Sequence, residues 1–351
     1  MKKNLLWAAF TLLAAASCQK NQINEEPVWE GPSGQLEVRI SQPETKVADA
    51  GMTENKIQTL QIFVFDKESE KLETDRYVSF TQGPYTLSLT AHTGPKVLYA
   101  IVNAPRLKFA TINSLKAGLS DLSENDVNKL VMSGYKNATV VEYSQSSGAT
   151  ECLIEVKKLV AAIHLVSVKA DFANTSLEGS TFKLKEIYAK NVVGKAHYSG
   201  EALTDTERRT AANWYNPLKL DSSPLTLTRD LCNLETAAAQ LSANRSLYVY
   251  PNATTADPES GTGFTARHTR LVLHAVISSG PNSPTSFTNK DYYYTFDLPV
   301  LEANKKYEVS VTITMLGKTD DNDDSKTTSG QAQPTITITE WEEHVDLNYD
   351  F

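Results

Sequence analysis

The side chains in this sequence that could carry covalent or metal chemistry are few, and their spacing points away from catalysis. Of the three cysteines, Cys152 and Cys232 lie far apart in different halves of the chain, so no structural disulfide is expected, and no CxxC or Cys/His pairing suggests a metal. The six histidines, His92, His164, His197, His268, His274 and His344, show no ligand spacing. His164 and His274 stand in apolar runs and read as buried, hydrogen-bonded side chains. The acidic run Asp320-Asp321-Asn322-Asp323-Asp324 starts like a calcium loop. It fails at Ser325, where such a loop needs glycine, and at Gln331, where it needs glutamate, so it reads as a solvated linker. Nothing resembles a nucleophile elbow, a phosphate loop or a catalytic dyad. The expectation is a protein without catalytic residues, metal or cofactor, and not an enzyme. With 34 basic against 42 acidic residues, the net charge of -8 also argues against a nucleic-acid partner.

Cys18 is the exception, because its surroundings predict a reaction at its thiol. Lys2 and Lys3 precede an apolar stretch over residues 5–16, too short for a permanent membrane helix and suited to a cleaved signal peptide. The stretch ends in Ala15-Ala16-Ser17-Cys18, which resembles the lipobox of bacterial lipoproteins, where the thiol is acylated, by palmitate among others, and becomes the new N-terminus. Each buried methylene of such an anchor contributes about 0.8 kcal/mol. Gln19 in place of aspartate favours sorting to the outer membrane. Residues 1–18 therefore read as a signal peptide and residues 19–34, polar and acidic, as a tether.

The rest of the chain reads as β-strands with one local interruption. Leu36, Val38 and Ile40 alternate with Glu37 and Arg39, which predicts a strand with one buried face. A polar loop over 41–55 follows, and residues 60–65 are apolar on both faces, as in a strand covered on each side. Asp66 and the charged residues after it predict a turn. Further strands are expected over 77–80, 85–90 and 97–102, the last of them central, then around 140–141, 152–156 and 159–168, with one or two short helices in 112–132. The Asn-, Ser- and Gly-rich stretch 171–180 predicts a boundary between domains over 35–170 and 171–317. Strands over 182–188, 225–227, 247–250, 269–277, 292–298 and 307–315 would build the second domain. In the final segment, 318–351, the apolar residues Ile336 and Ile338 alternate, the phase changes near Glu340-Trp341, and Val345, Leu347, Tyr349 and Phe351 alternate again. A bulge or bend is expected at the phase change. A segment that grows more apolar towards its end needs a groove to fill.

Taken in order, several segments resemble the fimbrillin family, the major fimbrial subunits of Bacteroides, Porphyromonas and their relatives. They are the lipobox at Cys18, residues 60–65 followed by Asp66, 97–103, Met132-Ser133-Gly134, 155–168 and 248–252. The likeness continues through Thr269-Arg270-Leu271-Val272-Leu273, Asn304-Lys305-Lys306-Tyr307 leading into 309–313, and the strand around Trp341. The resemblance implies an all-β fold of two tandem transthyretin-like β-sandwich domains, exported as a lipoprotein. It implies that a trypsin-like extracellular protease cuts between Lys46 and Val47, where many members have arginine, and that the strand bearing Leu36, Val38 and Ile40 leaves. The donor that replaces it would carry Ile336, Ile338, Trp341, Val345, Leu347, Tyr349 and Phe351 from another subunit. The implied partners are other copies of the chain, anchor and tip subunits, the protease, the outer membrane through the precursor's lipid, and host or bacterial surface ligands; the implied role is adhesion and colonisation by an extracellular fimbrium.

Physical reasoning supports such an exchange. A sandwich that loses a strand exposes unpaired backbone groups and an apolar groove, and an incoming strand with alternating apolar side chains satisfies both. Each large side chain buried contributes about 1.5–3 kcal/mol, less the entropy of ordering the tail. Two other readings stand beside the fimbrial shaft: an anchor or tip subunit, and a glycan-binding surface lipoprotein using Tyr292-Tyr293-Tyr294 as a stacking platform. Trp341 is either a core residue of its own domain or a groove-filling anchor.

Overall fold

The computed structural model describes residues 29, 31–41, 54–125, 128–215, 226–236, 239–255, 257, 266–280, 289–320, 327 and 331–340. Among these, the first sandwich is built from β1 (Ser33–Ser41), β2 (Thr59–Asp66), β3 (Leu72–Ser79), β4 (Thr86–His92), β5 (Gly94–Val102), β7 (Met132–Val140), β8 (Thr150–Glu155) and β9 (Lys157–Lys158). A short helix, α1 (Ile112–Lys116), and a small strand, β6 (Leu119–Asp121), lie between β5 and β7. One sheet has the order β4-β1-β8 and the facing one β3-β2-β5-β7-β9.

The alternation in β1 places Leu36, Val38 and Ile40 on the inner face, packed on Leu60, Ile62 and Val64 of β2 and Leu98, Ala100 and Val102 of β5. β2 is buried on both faces, as its unbroken apolar run predicts. Its Phe63 and Phe65, with Tyr99 and Ile101 of β5, face away from β1 into a larger apolar cluster that continues through α1 into the second sandwich.

That second sandwich contains β10 (Ala161–Ala170), β11 (Thr181–Lys190), β13 (Thr226–Thr236), β14 (Ala239–Val249), β15 (Arg270–Ser278), β16 (Lys290–Asp297), β17 (Lys305–Ile313) and β18 (Ala332–Glu340). Its sheets have the orders β14-β10-β17-β18 and β13-β11-β15-β16. A boundary at residue 170 would leave β10 in the first sandwich. The structure instead pairs β10 antiparallel with β14 and parallel with β17, so sheet membership changes between β9 and β10. The Asn-, Ser- and Gly-rich stretch is the turn between two strands of one domain, since polar turn chemistry marks any reversal and not a domain edge alone.

Other departures have similarly local causes. The charged stretch after Asp66 turns over five residues and re-enters as β3, a half-buried edge strand that carries Glu73, Asp75 and Arg76. The expected helical region keeps only α1 and a 3-10 turn over Leu122–Glu124, each with a capping box. β7 is nine residues long, where only 140–141 reads as strand from sequence.

The halves are joined by polar contacts as well as by the shared core. β6 pairs with β12 (Lys195–His197), and Lys195 donates to Asp121 at 2.5 Å. The Tyr250 hydroxyl meets Ser120 at 2.7 Å and Asn125 at 2.9 Å, while the Tyr198 hydroxyl donates to Glu124 at 2.9 Å. Burial and the adjacent Glu124 push the Tyr198 hydroxyl far above its usual range, so it stays a donor.

Candidate functional site: the slot filled by β1

β1 is the middle strand of its sheet. It runs antiparallel to β4, from Ser33 opposite His92 to Arg39 opposite Thr86, and parallel to β8, from Leu36 opposite Thr150 to Ser41 opposite Glu155. Both of its backbone edges are therefore engaged. Leu36 and Val38 are fully buried and Ile40 is 9% exposed, so the strand fills a slot with templated walls on two sides and an apolar floor. Beside Val38 in the same sheet stands Cys152 of β8, a free, buried thiol whose pKa is raised by burial.

Gly34 marks one end of the slot. A Cβ built there would lie 2.0 Å from the Val141 carbonyl oxygen and 2.6 Å from Val140 Cγ1, so the strand passes that point only without a side chain. Just upstream, the Pro32 carbonyl accepts from the Thr93 amide at 3.0 Å. Trp29 lies over Lys96, with Nζ 5.5 Å from the ring centroid. Lys96 is buried and reaches Glu73 at 2.8 Å and Asp66 at 3.1 Å, while His92 Nδ1 lies 2.9 Å from Glu73. Burial opposes the charge on Lys96, but the two carboxylates outweigh it and its pKa is raised. For Asp66, burial also opposes ionisation, yet the Ser69 amide and Lys96 bring its pKa down to about 2.

From Glu54 onward the chain has contacts outside β1, while Ile57 packs in the cluster that also holds Leu36, Val38 and Ile40. Glu54 accepts from the Tyr248 hydroxyl, Ile57 is fully buried, and the Asn103 side chain accepts from Gln58 N at 2.8 Å and donates to the Lys56 carbonyl at 2.8 Å. The predicted cut at Lys46 and Val47 falls in 42–53, outside the described residues, as does Cys18. Of the predicted donor residues, Ile336 and Ile338 lie in β18, which pairs antiparallel with β17 of its own chain from Ala332 opposite Ile313 to Glu340 opposite Lys305. Ile336 packs on the core, and Ile338 is 52% exposed. Trp341, Val345, Leu347, Tyr349 and Phe351 lie outside the described residues.

The other candidate sites resolve as structure. His164 meets Ser246 at 2.8 Å, and His274 lies between Glu186 and Asp291, at 3.2 and 2.8 Å. No group of metal-binding side chains occurs among the described residues. Tyr292 and Tyr294 are buried in β16 and Tyr293 stacks on His274, which removes the tyrosine run as an open sugar platform. The Trp29–Lys96 contact is absent from the sequence-based reading. The signal available was a lysine at the start of the otherwise apolar run of β5.

A middle strand with both backbone edges engaged and a buried inner face is one whose departure would leave two unpaired edges and an apolar groove. Residues 35–160, which span the first sandwich, match the family described as Major fimbrial subunit protein (FimA), a family of structural subunits and not of enzymes. The whole fold is similar to that of a cell adhesion candidate from Parabacteroides distasonis, with a TM-score of 0.64 at 17% identity over 90% of this chain and 100% of that one. A fimbrilin from Porphyromonas gingivalis gives 0.62 at 16% identity over 89% and 98%, and a cell adhesion candidate from Bacteroides eggerthii gives 0.60 at 17% over 89% and 97%. No curated protein matches the sequence significantly. The likeness to fimbrillins thus holds in the sequence of the first sandwich and in the fold of nearly the whole chain.

Proposed function

We propose that this chain is a structural subunit of a cell-surface fimbria, exported as an outer-membrane lipoprotein through Cys18 and joined to its neighbours by strand exchange. A trypsin-like cut between Lys46 and Val47 frees β1, and the tail of another copy enters the slot. The observation that carries this reading is the central position of β1 between β4 and β8, with Leu36 and Val38 fully buried. Its loss leaves two unpaired edges and an empty apolar floor, which water serves poorly and an alternating strand serves well. The anchoring of Glu54 on Tyr248 and of Gln58 on Asn103, both away from β1, supports release of β1 without loss of the remaining sandwich. Because β18 is already paired with β17, the donor is the part of the tail beyond Glu340, with β18 as its root. That narrows the donor residues to Trp341, Val345, Leu347, Tyr349 and Phe351.

The test uses a chain beginning at residue 19 with Cys232→Ser, so that Cys152 is the one thiol. Limited trypsin treatment followed by electrophoresis without boiling should give a ladder of oligomers. A chain ending at Glu340 should give none, and its Cys152 should become reactive after the cut. An identical ladder from the shortened chain, or polymer formation by Lys46→Ala under protease, would refute the reading.

A further inference from the structure

The strand that leaves carries an anchor outside the sheet. Trp29 sits four residues before β1, and the Lys96 ammonium lies over its ring at 5.5 Å from the centroid while pairing with the carboxylates of Glu73 and Asp66. The four residues that form this seat, Asp66, Glu73, His92 and Lys96, belong to β2, β3, β4 and β5, all of which stay behind when β1 goes. The departing segment reads Trp29-Glu30, then Leu36-x-Val38-x-Ile40. The tail reads Trp341-Glu342, then Leu347-x-Tyr349-x-Phe351. The tryptophan precedes the first slot residue by seven positions in one and by six in the other.

Resting on the strand-exchange reading, we propose that the Lys96 seat is a second docking point separate from the slot, and that Trp341 of the incoming copy replaces Trp29 there while Leu347, Tyr349 and Phe351 take the places of Leu36, Val38 and Ile40.

Chemistry and geometry favour a tryptophan in that seat. The cluster already holds two carboxylates against one buried lysine, so Glu342 or Glu343 placed there would add like charge. An indole face meets the ammonium without adding any and shields it from water. The shorter spacer is no obstacle, because six extended residues reach about 20 Å and the segment they replace includes a turn at Gly31, with φ of 119°. With Leu347 in the place of Leu36, a strand continued backwards would bring Val345 to the Gly34 position, where a Cβ would strike the Val141 carbonyl oxygen, so in this register the tail pairs only from Asp346 and Val345 lies outside the slot. Trp341 therefore acts before and beyond the sheet, and its contribution is separable from the slot itself.

Dissociation rates of a two-chain complex test this. The donor is uncut Lys46→Ala; the acceptor is cut and lacks residues 341–351. Donor Trp341→Ala should speed dissociation about ten-fold or more, with Trp341→Phe in between. On a Lys96→Met acceptor the Trp341→Ala effect should shrink about three- to thirty-fold, and on Lys96→Arg it should persist. On the unmutated acceptor, amine labelling read by mass spectrometry should find Lys96 protected by the normal tail and reactive under the Trp341→Ala tail. Equal labelling under both tails, or a Trp341→Ala effect independent of residue 96, would overturn the seat while leaving strand exchange standing. Failure of the unmutated pair to associate would overturn both.

Discussion

β1 and β18 each complete a sandwich whose other strands come from elsewhere in the chain, but they occupy different places in their sheets. β1 has a neighbour on each side and a fully buried inner face. β18 has one neighbour, β17, and carries an exposed isoleucine. Removing an edge strand shortens a sheet, whereas removing a middle strand leaves two facing rows of backbone donors and acceptors. A replacement there is aligned from both sides, which raises the specificity of the joint as well as its strength. Under the proposed exchange, the contrast suits the first sandwich to accepting and the second to donating.

The largest effect that would sharpen the contrast is expected from Val38→Asp. A carboxylate in the slot lacks any partner, so β1 should fail to seat and Cys152 should react with thiol reagents at the rate of the unfolded chain. Persistent protection would contradict the burial of that face. Gly34→Val comes next, at about 1–3 kcal/mol of lost stability from overpacking against Val141. It should destabilise the uncut chain in denaturant melts yet leave the assembled joint unchanged, because Gly34 departs with β1.

Acid provides a third comparison. The Asp66 pKa, about 2, lies below the ordinary carboxylate value of 3.8, so its contribution is complete above that value and is lost as pH falls towards 2. Acid titration followed by Cys152 labelling should show the first sandwich loosening between about pH 4 and 2, with the slope flattened in Asp66→Asn. A slope unchanged by that substitution would remove the ion cluster from the account. The smallest effect is expected at Ile338→Ala, within about 0.5 kcal/mol, since an exposed side chain on an edge strand has little burial to lose. A loss several times larger would mean that β18 is covered by something in the folded protein.

What could be read from residues alone tracks where side chains alternate against a core. β1, β2 and β5 follow from their apolar patterns, and the slot residues Leu36, Val38 and Ile40 lie where that pattern places them. β3 and most of β7 escape because edge and outward-facing positions accept Glu, Lys, Asn and Gly, which read as loop. The sheet to which β10 belongs is not a local property at all: its partners, β14 and β17, are 69 or more positions away, the nearest pair being Ala170 and Ala239. The Lys96 seat was hidden for the same reason, since Asp66, Glu73, His92 and Trp29 meet only after four strands and the approach to β1 have folded.

The ladder between β17 and β18 bears on how a subunit joined through its tail, as proposed above, would withstand tension. A pull on the chain beyond Glu340, directed along the strand axis, loads the rungs from Glu340 opposite Lys305 to Ala332 opposite Ile313 in shear, all at once. A sideways pull at the same point opens them one after another, starting at Glu340. An appendage dragged lengthwise by flowing liquid would then hold at this root far longer than one peeled laterally from its neighbour, because rupture lifetimes follow the unfolding barrier and simultaneous breakage raises it.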